Sequence, residues 1–263
     1  MKKNLLLIAL AFSMLSGTSQ SFKERTNKGR IFASYGLNRT AYDLSKLDLK
    51  GDGYDFRLTH FDANDAITEY DFAKFNSKLG FFITNNISVS VGYDVFTYKA
   101  YTRGNKRLVK IGGYINWGDY AGDYETNQDI VEPSPEFIKY EYTKLEYINL
   151  NIEINDDFWV SKNGKLAWSY YFGLGGGAIL TQSEVSLFEL PSSSKENGLS
   201  GYGGNASMGT RLHLGPVFLE VGGKAGYMKN SEIVSDEFGG LAEHSFLFAS
   251  GIASVGLSFN LSK

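Results

Sequence analysis

The feature that most constrains this chain is an alternation of apolar and polar residues with a period of two. In the stretch SVSVGYDVFTYKAY (88–101), Ser88, Ser90 and Asp94 occupy one parity, whereas Val89 and Val91 occupy the other. Such alternation is typical of a β-strand with one apolar and one polar face. The fold therefore depends on what each of the two faces contacts.

The same alternation recurs along most of the chain, and no segment with helical periodicity competes with it. Some connections are only two or three residues long (84–86 and 215–216), and others are long and polar (118–135, 189–199 and 229–243). Many short strands separated by turn residues indicate a β-sandwich or a β-barrel. Ten alternating segments are recognisable: 29–38, 53–61, 77–83, 88–101, 107–116, 137–155, 165–181, 201–214, 217–228 and 244–261.

The N-terminus, MKKNLLLIALAFSMLSGTSQS, has the order of a secretory signal peptide. A basic start precedes the apolar run 5–15, and small residues follow it before Gln20. This run is too short to span a membrane as a helix, which needs roughly 20 apolar residues. We therefore predict a signal peptide over 1–19 and one mature domain over 20–263.

Composition excludes several classes of protein. The chain has no cysteine, three histidines and a net charge of −3, so disulfides, a structural zinc site and nucleic-acid binding are not expected. After residue 19 no apolar run approaches 18 residues, which excludes membrane helices. The mean hydropathy of −0.22 does not separate a soluble protein from a transmembrane barrel, because every second barrel residue faces away from lipid.

The polar parity of the strands favours the barrel. It is dominated by Gly, Ser, Asn and Tyr rather than by the Lys, Glu and Thr of a water-facing sandwich surface. The strand charges comprise five acids and five bases, and such a balance indicates mutual compensation in a confined lumen. The predicted lumen network consists of Asp55, Arg57, Asp94, Lys110, Lys139, Glu141, Glu153, Arg211, Glu220 and Lys224.

These observations predict an all-β fold, an antiparallel up-and-down transmembrane β-barrel of 10–12 strands. Twelve strands are favoured, because two strands beyond the ten, within 66–75 and 114–124, would place the short turns at one end. Residues Val89 and Val91 then face lipid. Aromatic residues near strand ends are expected to form the interfacial girdles: Tyr35, Tyr54, Tyr93, Trp117, Tyr140, Trp168 and Tyr227. Tyr140 and Tyr142 share the lipid-facing parity of Ile148 in this interpretation.

Four stretches carry a resemblance: GRIFASYGLNRT (29–40), GYDFRL (53–58), LGFFITNNISVSVGYDVFTY (79–98) and VFLEVGGKAGYM (217–228). They resemble outer-membrane β-barrel proteins of Gram-negative bacteria, particularly a poorly characterised family of Bacteroidota. The resemblance implies location in the bacterial outer membrane and contact with its lipid. Many such barrels end on an aromatic residue, whereas here Phe259 lies four residues before the end.

The residues give little support to catalysis. Lipid-hydrolysing barrels carry a His followed by Ser-Asn-Gly in a strand like KYEYTKLEYIN (139–149), but here Tyr142 replaces the imidazole, and a phenol is a poor base at neutral pH. His60, His213 and His244 are expected at the rim or surface. The acidic stretch 118–129 is expected to be a solvated loop rather than a calcium site, and no cofactor is expected.

Three hypotheses follow. The first is a non-enzymatic outer-membrane barrel with a structural, accessory-subunit or narrow-channel role, contacting lipid through its wall and a protein partner through its long loops. The second is an outer-membrane lipid-modifying acyl hydrolase whose motif is degenerate here. The third is a soluble periplasmic β-sandwich.

Overall fold

The computed structural model describes residues 25–59, 74–99, 109–131, 137–188, 193–194, 198–233 and 240–260. The predicted signal peptide (1–19), its cleavage site and His60 lie outside these residues. Within the described part, no helix is long and apolar enough to cross a membrane.

The described residues form twelve strands that pair only in antiparallel fashion within one sheet. This confirms the all-β antiparallel fold, with twelve strands in the sheet. A single 3₁₀ turn lies at Gly118–Tyr120. The strands are β1 (Arg30–Gly51), β2 (Tyr54–Thr59), β3 (Phe75–Phe82), β4 (Ile87–Lys99), β5 (Val109–Ile115), β6 (Gly122–Val131), β7 (Ile138–Val160), β8 (Leu166–Leu187), β9 (Ser193–Ser194), β10 (Gly198–Leu214), β11 (Val217–Ile233) and β12 (Leu241–Asn260).

Eight of the twelve strands close a ring. Its order is β1-β3-β4-β7-β8-β10-β11-β12, and β12 pairs again with β1 over nearly its whole length. A closed ring is a barrel, so the sandwich hypothesis is wrong. An eight-stranded barrel has an interior just wide enough for side chains to fill.

Three further strands form what we call the extension. The 22-residue β1 pairs with β3 over residues 31–37 and with β2 over residues 46–51, and β5 and β6 continue the sheet beyond β2. The predicted long connection 118–135 is therefore partly wrong, because it contains strand β6. The predicted extra strand within 114–124 coincides with the end of β5 and the start of β6. The other candidate, 66–75, lies almost entirely outside the described residues.

Both described termini and three short connections of the ring (83–86, 161–165 and 215–216) lie at one end of the barrel, which we call the turn end. The Gly29 amide donates to the Phe82 carbonyl (3.0 Å), and the Ser258 amide donates to the Pro216 carbonyl (2.7 Å). The turn at 215–216 needs its glycine because Gly215 has φ +66°, a left-handed conformation. The opposite end is called the loop end. The predicted placement of the short turns at one end holds for these ring connections, whereas the two-residue turn at 52–53 lies at the loop end.

The outer wall of the barrel carries an apolar belt towards the turn end. In the stretch 88–95, Ser88 and Asp94 are buried whereas Val89 and Val91 are exposed, as predicted for a lipid-facing wall. The fold is thus a transmembrane β-barrel. The belt includes Tyr35, Leu37, Leu79, Phe81, Val89, Val91, Ile148, Leu150, Ile152, Ile154, Trp168, Phe172, Leu174, Met208, Leu212, Leu219, Val221, Tyr227, Leu247, Val255, Leu257 and Phe259.

Towards the loop end the pattern inverts, so that apolar side chains point inwards. The register shifts between Asp43 and Lys46 in β1 and between Tyr142 and Lys144 in β7. A bulge adds one residue and so changes which parity faces inwards. The prediction that Tyr140 and Tyr142 share the lipid-facing side with Ile148 is therefore wrong. At the loop end, burial of the apolar parity inside the barrel is favoured.

The inverted region encloses a hydrophobic core that joins the extension to the barrel. The ring centroid of Tyr54 in β2 lies 6.0 Å from that of Phe188, and the ring centroid of Phe56 lies 5.9 Å from that of Phe137. The girdle prediction is wrong for Tyr54 and Tyr140, which are buried in this core, and for Trp117, which packs against it. Tyr35, Trp168 and Tyr227 lie exposed on the outer wall, and Tyr93 is half-buried there.

Candidate functional site: the polar interior of the barrel

The interior nearest the turn end holds a compact group of paired charges, which we call the ion-pair layer: Lys78, Glu153, Tyr171, Arg211 and Glu220. Arg211 donates through Nη2 to Glu153 (2.8 Å) and through Nε to Glu220 (2.6 Å). Lys78 Nζ lies 2.7 Å from Glu153 and 3.6 Å from Glu220. Each carboxylate therefore contacts both cations, and the group has no net charge.

Polar and aromatic neighbours complete this layer. The third donor of Arg211, Nη1, bonds Asn155 Oδ1 at 2.7 Å, and the Tyr171 hydroxyl donates to Glu220 at 3.0 Å. The Arg211 guanidinium carbon lies 4.3 Å from the Tyr171 ring centroid. Cations over aromatic faces are stabilised by the ring quadrupole. The charges are thus fully coordinated by the protein, which burial of ions requires.

An aromatic plug of Phe32, Phe82 and Phe218 lies beside the ion-pair layer. Two interior glycines provide the space: a Cβ on Gly80 would lie 2.2 Å from the Phe32 ring, and a Cβ on Gly256 would lie 2.2 Å from the Phe218 ring. The plug contacts the layer directly, because the Arg211 guanidinium carbon lies 5.1 Å from the Phe32 ring centroid.

Farther towards the loop end lies an amide layer: Asp94, Tyr147, Asn149, Asn151, Asn205 and Lys224. It is a chain of hydrogen bonds from Tyr147 through the three asparagines to Asp94, with successive distances of 2.9, 3.1, 2.6 and 2.8 Å. Lys224 Nζ closes the chain at 2.5 Å from Asp94. This layer is also neutral. The apolar side chains Phe96, Met228 and Phe248 are buried in the core that begins towards the loop end.

A third polar group, the histidine cluster, lies inside the loop-end core: Ser45, Tyr98, Tyr140, Tyr142, Asn230 and His244. His244 contacts the Ser45 hydroxyl through Nε2 and the Tyr142 hydroxyl through Nδ1, both at 2.9 Å. The predicted rim or surface position of His244 is wrong, because the residue is 0% exposed. His213 is buried as well, with Nε2 3.0 Å from the Ser169 hydroxyl.

Five of the ten residues of the predicted lumen network lie in these layers: Asp94, Glu153, Arg211, Glu220 and Lys224. Asp55, Arg57 and Lys110 lie instead on the extension, where Arg57 forms an exposed ion pair with Asp48 and Asp55 pairs with Lys50. The lumen assignment does not hold for these three residues, because β2 and β5 belong to the extension and not to the ring. The side chains of Lys139 and Glu141 lie outside the described part.

Sequence reasoning missed one charge of the ion-pair layer. Lys78 lies on the parity opposite to Leu79 and Phe81, so the alternation of SKLGFFI carried the signal. Tyr171 and Asn205 were also missed as partners, since no sequence signal distinguishes them from other polar-parity residues. Among the described residues, no group of three or more His, Asp or Glu side chains is placed to hold a metal ion.

Comparison with known proteins gives matches by structure alone. No family model matches the chain, and no curated protein matches it. Neisserial surface protein A (NspA) is 13% identical with a TM-score of 0.39, over 88% of this chain and 98% of that one. Outer-membrane protein OprG from Pseudomonas aeruginosa is 9% identical with a TM-score of 0.42, over 91% and 100%. Outer-membrane protease OmpT from Escherichia coli is 8% identical with a TM-score of 0.33, over 91% and 100%.

Proposed function

We propose that the chain is a non-conducting barrel of the bacterial outer membrane that anchors a folded extension at the loop end. The ion-pair layer carries this proposal. Its four charged side chains are at most 9% exposed, and together they connect β3, β7, β10 and β11 across the lumen. The narrow-channel role is thereby disfavoured relative to a structural or accessory-subunit role.

Two features support the outer membrane as the location. The sequence predicts a signal peptide, and the wall presents an apolar belt with termini at the turn end. In this arrangement the turn end faces the periplasm, and the extension and long loops face the exterior. Membership of a Bacteroidota family stays a prediction from the sequence.

We expect the refolded mature chain (20–263) to show no discrete openings in a planar bilayer, because the ion-pair layer and the aromatic plug both lie in the lumen. A general porin recorded in the same bilayer serves as the positive control. Heat-modifiable migration of the same preparation on a gel verifies folding. Discrete openings from the folded chain would overturn the non-conducting role and return the narrow channel as the better hypothesis.

The hydrolase hypothesis now depends on Ser45 and His244, whose side chains form a nucleophile–base contact of 2.9 Å. Ser45 is only 2% exposed and His244 is 0% exposed, inside an aromatic core. A phospholipid ester cannot contact a serine that is sealed in this way, so the geometry favours a structural role for the pair.

We expect the unaltered chain to release fatty acid from phospholipid vesicles no faster than vesicles release it without protein. Ser45→Ala and Ser169→Ala form a matched pair of variants, since each serine contacts a buried histidine. Release by the unaltered chain that is lost in Ser45→Ala and kept in Ser169→Ala would establish the hydrolase instead.

A further inference from the structure

The barrel has a seam between β1 and β4 towards the loop end. β3 joins these strands only near the turn end, because it pairs with residues 31–37 of β1 and 88–94 of β4. Beyond these ranges, no strand of the described part lies between β1 and β4. Hydrogen bonds between described residues cross the seam: Asn38 Nδ2 to the Val95 carbonyl (3.1 Å), Tyr42 hydroxyl to the Thr97 carbonyl (2.8 Å), and Ser45 hydroxyl with Tyr98 hydroxyl (2.8 Å).

The third of these links belongs to the histidine cluster. Ser45 contacts both Tyr98 and His244, so the histidine fixes the hydroxyl that bridges the two strands. On its other side, His244 contacts Tyr142, which in turn bonds Tyr140 (2.9 Å) and Asn230 (3.0 Å). Both ring nitrogens of His244 are thus occupied by uncharged hydroxyl groups.

Among the described residues, no charged side chain is packed against His244. Within the described part, it is packed against Ser45 and Leu47 of β1, Tyr98 of β4, Tyr140 and Tyr142 of β7, Asn230 of β11 and Phe246 of β12. None of these side chains carries a charge at neutral pH, since the tyrosine phenols ionise only near pH 10. The nearby Lys229–Glu243 pair lies on the outer face of the sheet.

His244 lies beyond the apolar belt, at a level where the outer wall carries Lys46, Lys229 and Glu243. Burial alone lowers the pKa of His244 to about 3. Hydroxyl oxygens and ring faces would solvate an imidazolium partly, but loss of its hydration without an anion is costly. The closed cluster therefore holds the neutral ring.

We propose that the seam is an acid-sensitive latch: uptake of a proton by His244 separates β1 from β4 and loosens the extension on the barrel. An exposed histidine has a pKa of about 6.5. The closed state binds this proton less readily than the open state, so its stability is complete above that pH and falls as the pH decreases below it. One proton shifts the ratio of open to closed seam by up to roughly tenfold per pH unit, or roughly thirtyfold between pH 7.5 and 5.0.

Trp117 reports on the extension. It packs against the loop-end core, and its indole N–H donates to the Asp52 carbonyl (2.9 Å). The other two tryptophans, Trp159 and Trp168, are exposed on the outer wall. A Trp159→Phe, Trp168→Phe chain in phosphatidylcholine vesicles therefore has one emitter, and quenching of it by iodide measures opening. Exposed carboxylates remain mostly ionised from pH 7.5 to 5.0, and histidine is the side chain that ordinarily changes its charge within this window.

We expect quenching to rise reversibly as the pH is lowered through this window. His244→Gln in the same chain should abolish the rise, whereas the matched changes His213→Gln and His60→Gln should leave it intact. A flat response, or an equal response in His244→Gln, would overturn the latch. If His244→Gln does not fold, the rate of hydrogen exchange at the ring C2 of His244 is measured in the unaltered chain and divided by the rate in an unfolded reference. A ratio that does not increase between pH 7.5 and 5.0 would also overturn the latch.

Discussion

Arg211→Met should lower the free energy of unfolding by about 3–5 kcal/mol, because removal of one member of a buried ion pair leaves uncompensated charge. Glu153 and Glu220 would then share Lys78 as their one cation in the ion-pair layer. Urea unfolding of the chain refolded in phosphatidylcholine vesicles measures the change. Arg57→Met is the control, since the exposed Arg57–Asp48 pair is worth about 0–1 kcal/mol.

A double variant distinguishes lost charge balance from lost packing. Arg211→Met with Glu220→Gln keeps the Lys78–Glu153 pair, whose atoms are 2.7 Å apart, and restores a neutral layer. It should recover most of the stability lost in the single variant. A double variant no more stable than Arg211→Met would show that the cavity around Met, rather than the unpaired carboxylate, causes the loss.

The second large effect is expected on the outer wall. Leu150 is 68% exposed within the belt, so Leu150→Arg should lower the free energy of unfolding in vesicles by about 2–4 kcal/mol, the cost of a cation near the middle of the bilayer. The matched control is Ser231→Arg, because Ser231 is exposed beyond the belt and pairs with Glu243 in register. Its effect should be small.

The comparison between the two arginines tests the membrane boundary itself. Equal losses in both variants would mean that the belt does not lie in hydrocarbon. The same pair measured in a short-chain detergent should show a smaller difference, since a detergent layer adapts to a charged side chain more easily than a bilayer does. Together these variants test whether the apolar belt lies in lipid and whether the wall at the loop end lies in water.

Much of the barrel was predictable from alternation alone. Val89 and Val91 face out and Ser88 and Asp94 face in, as their parity indicated, because a strand has a strict period of two and only two faces to assign. The same logic placed Glu153, Arg211 and Glu220 inside the barrel. Residue types on the polar parity, chiefly Gly, Ser and Asn, distinguished a filled lumen from a water-exposed sheet.

Other features depended on where the register of a strand shifts and on which strands pair outside the ring. The bulges after Asp43 and Tyr142 reverse the parity, so identical alternation is apolar-out before one bulge and apolar-in after it. The sequence predicts Arg57 and Lys110 to be lumen residues, because their local alternation matches that of the ring strands. Only the pairing of β2 with residues 46–51 of β1, and of β5 with β2, places them on the extension.

The sequence by itself determined a chain of antiparallel strands with an apolar outer parity and a polar, charge-balanced interior. Composition and period-two alternation are local properties, and they survive any arrangement of the strands. The tertiary structure decided that eight of twelve strands close the ring, that Lys78 joins Arg211, and that His244 meets Ser45 across 199 positions of sequence. Such contacts depend on register and on strand order around the barrel, which long-range backbone pairing sets and which no local pattern encodes.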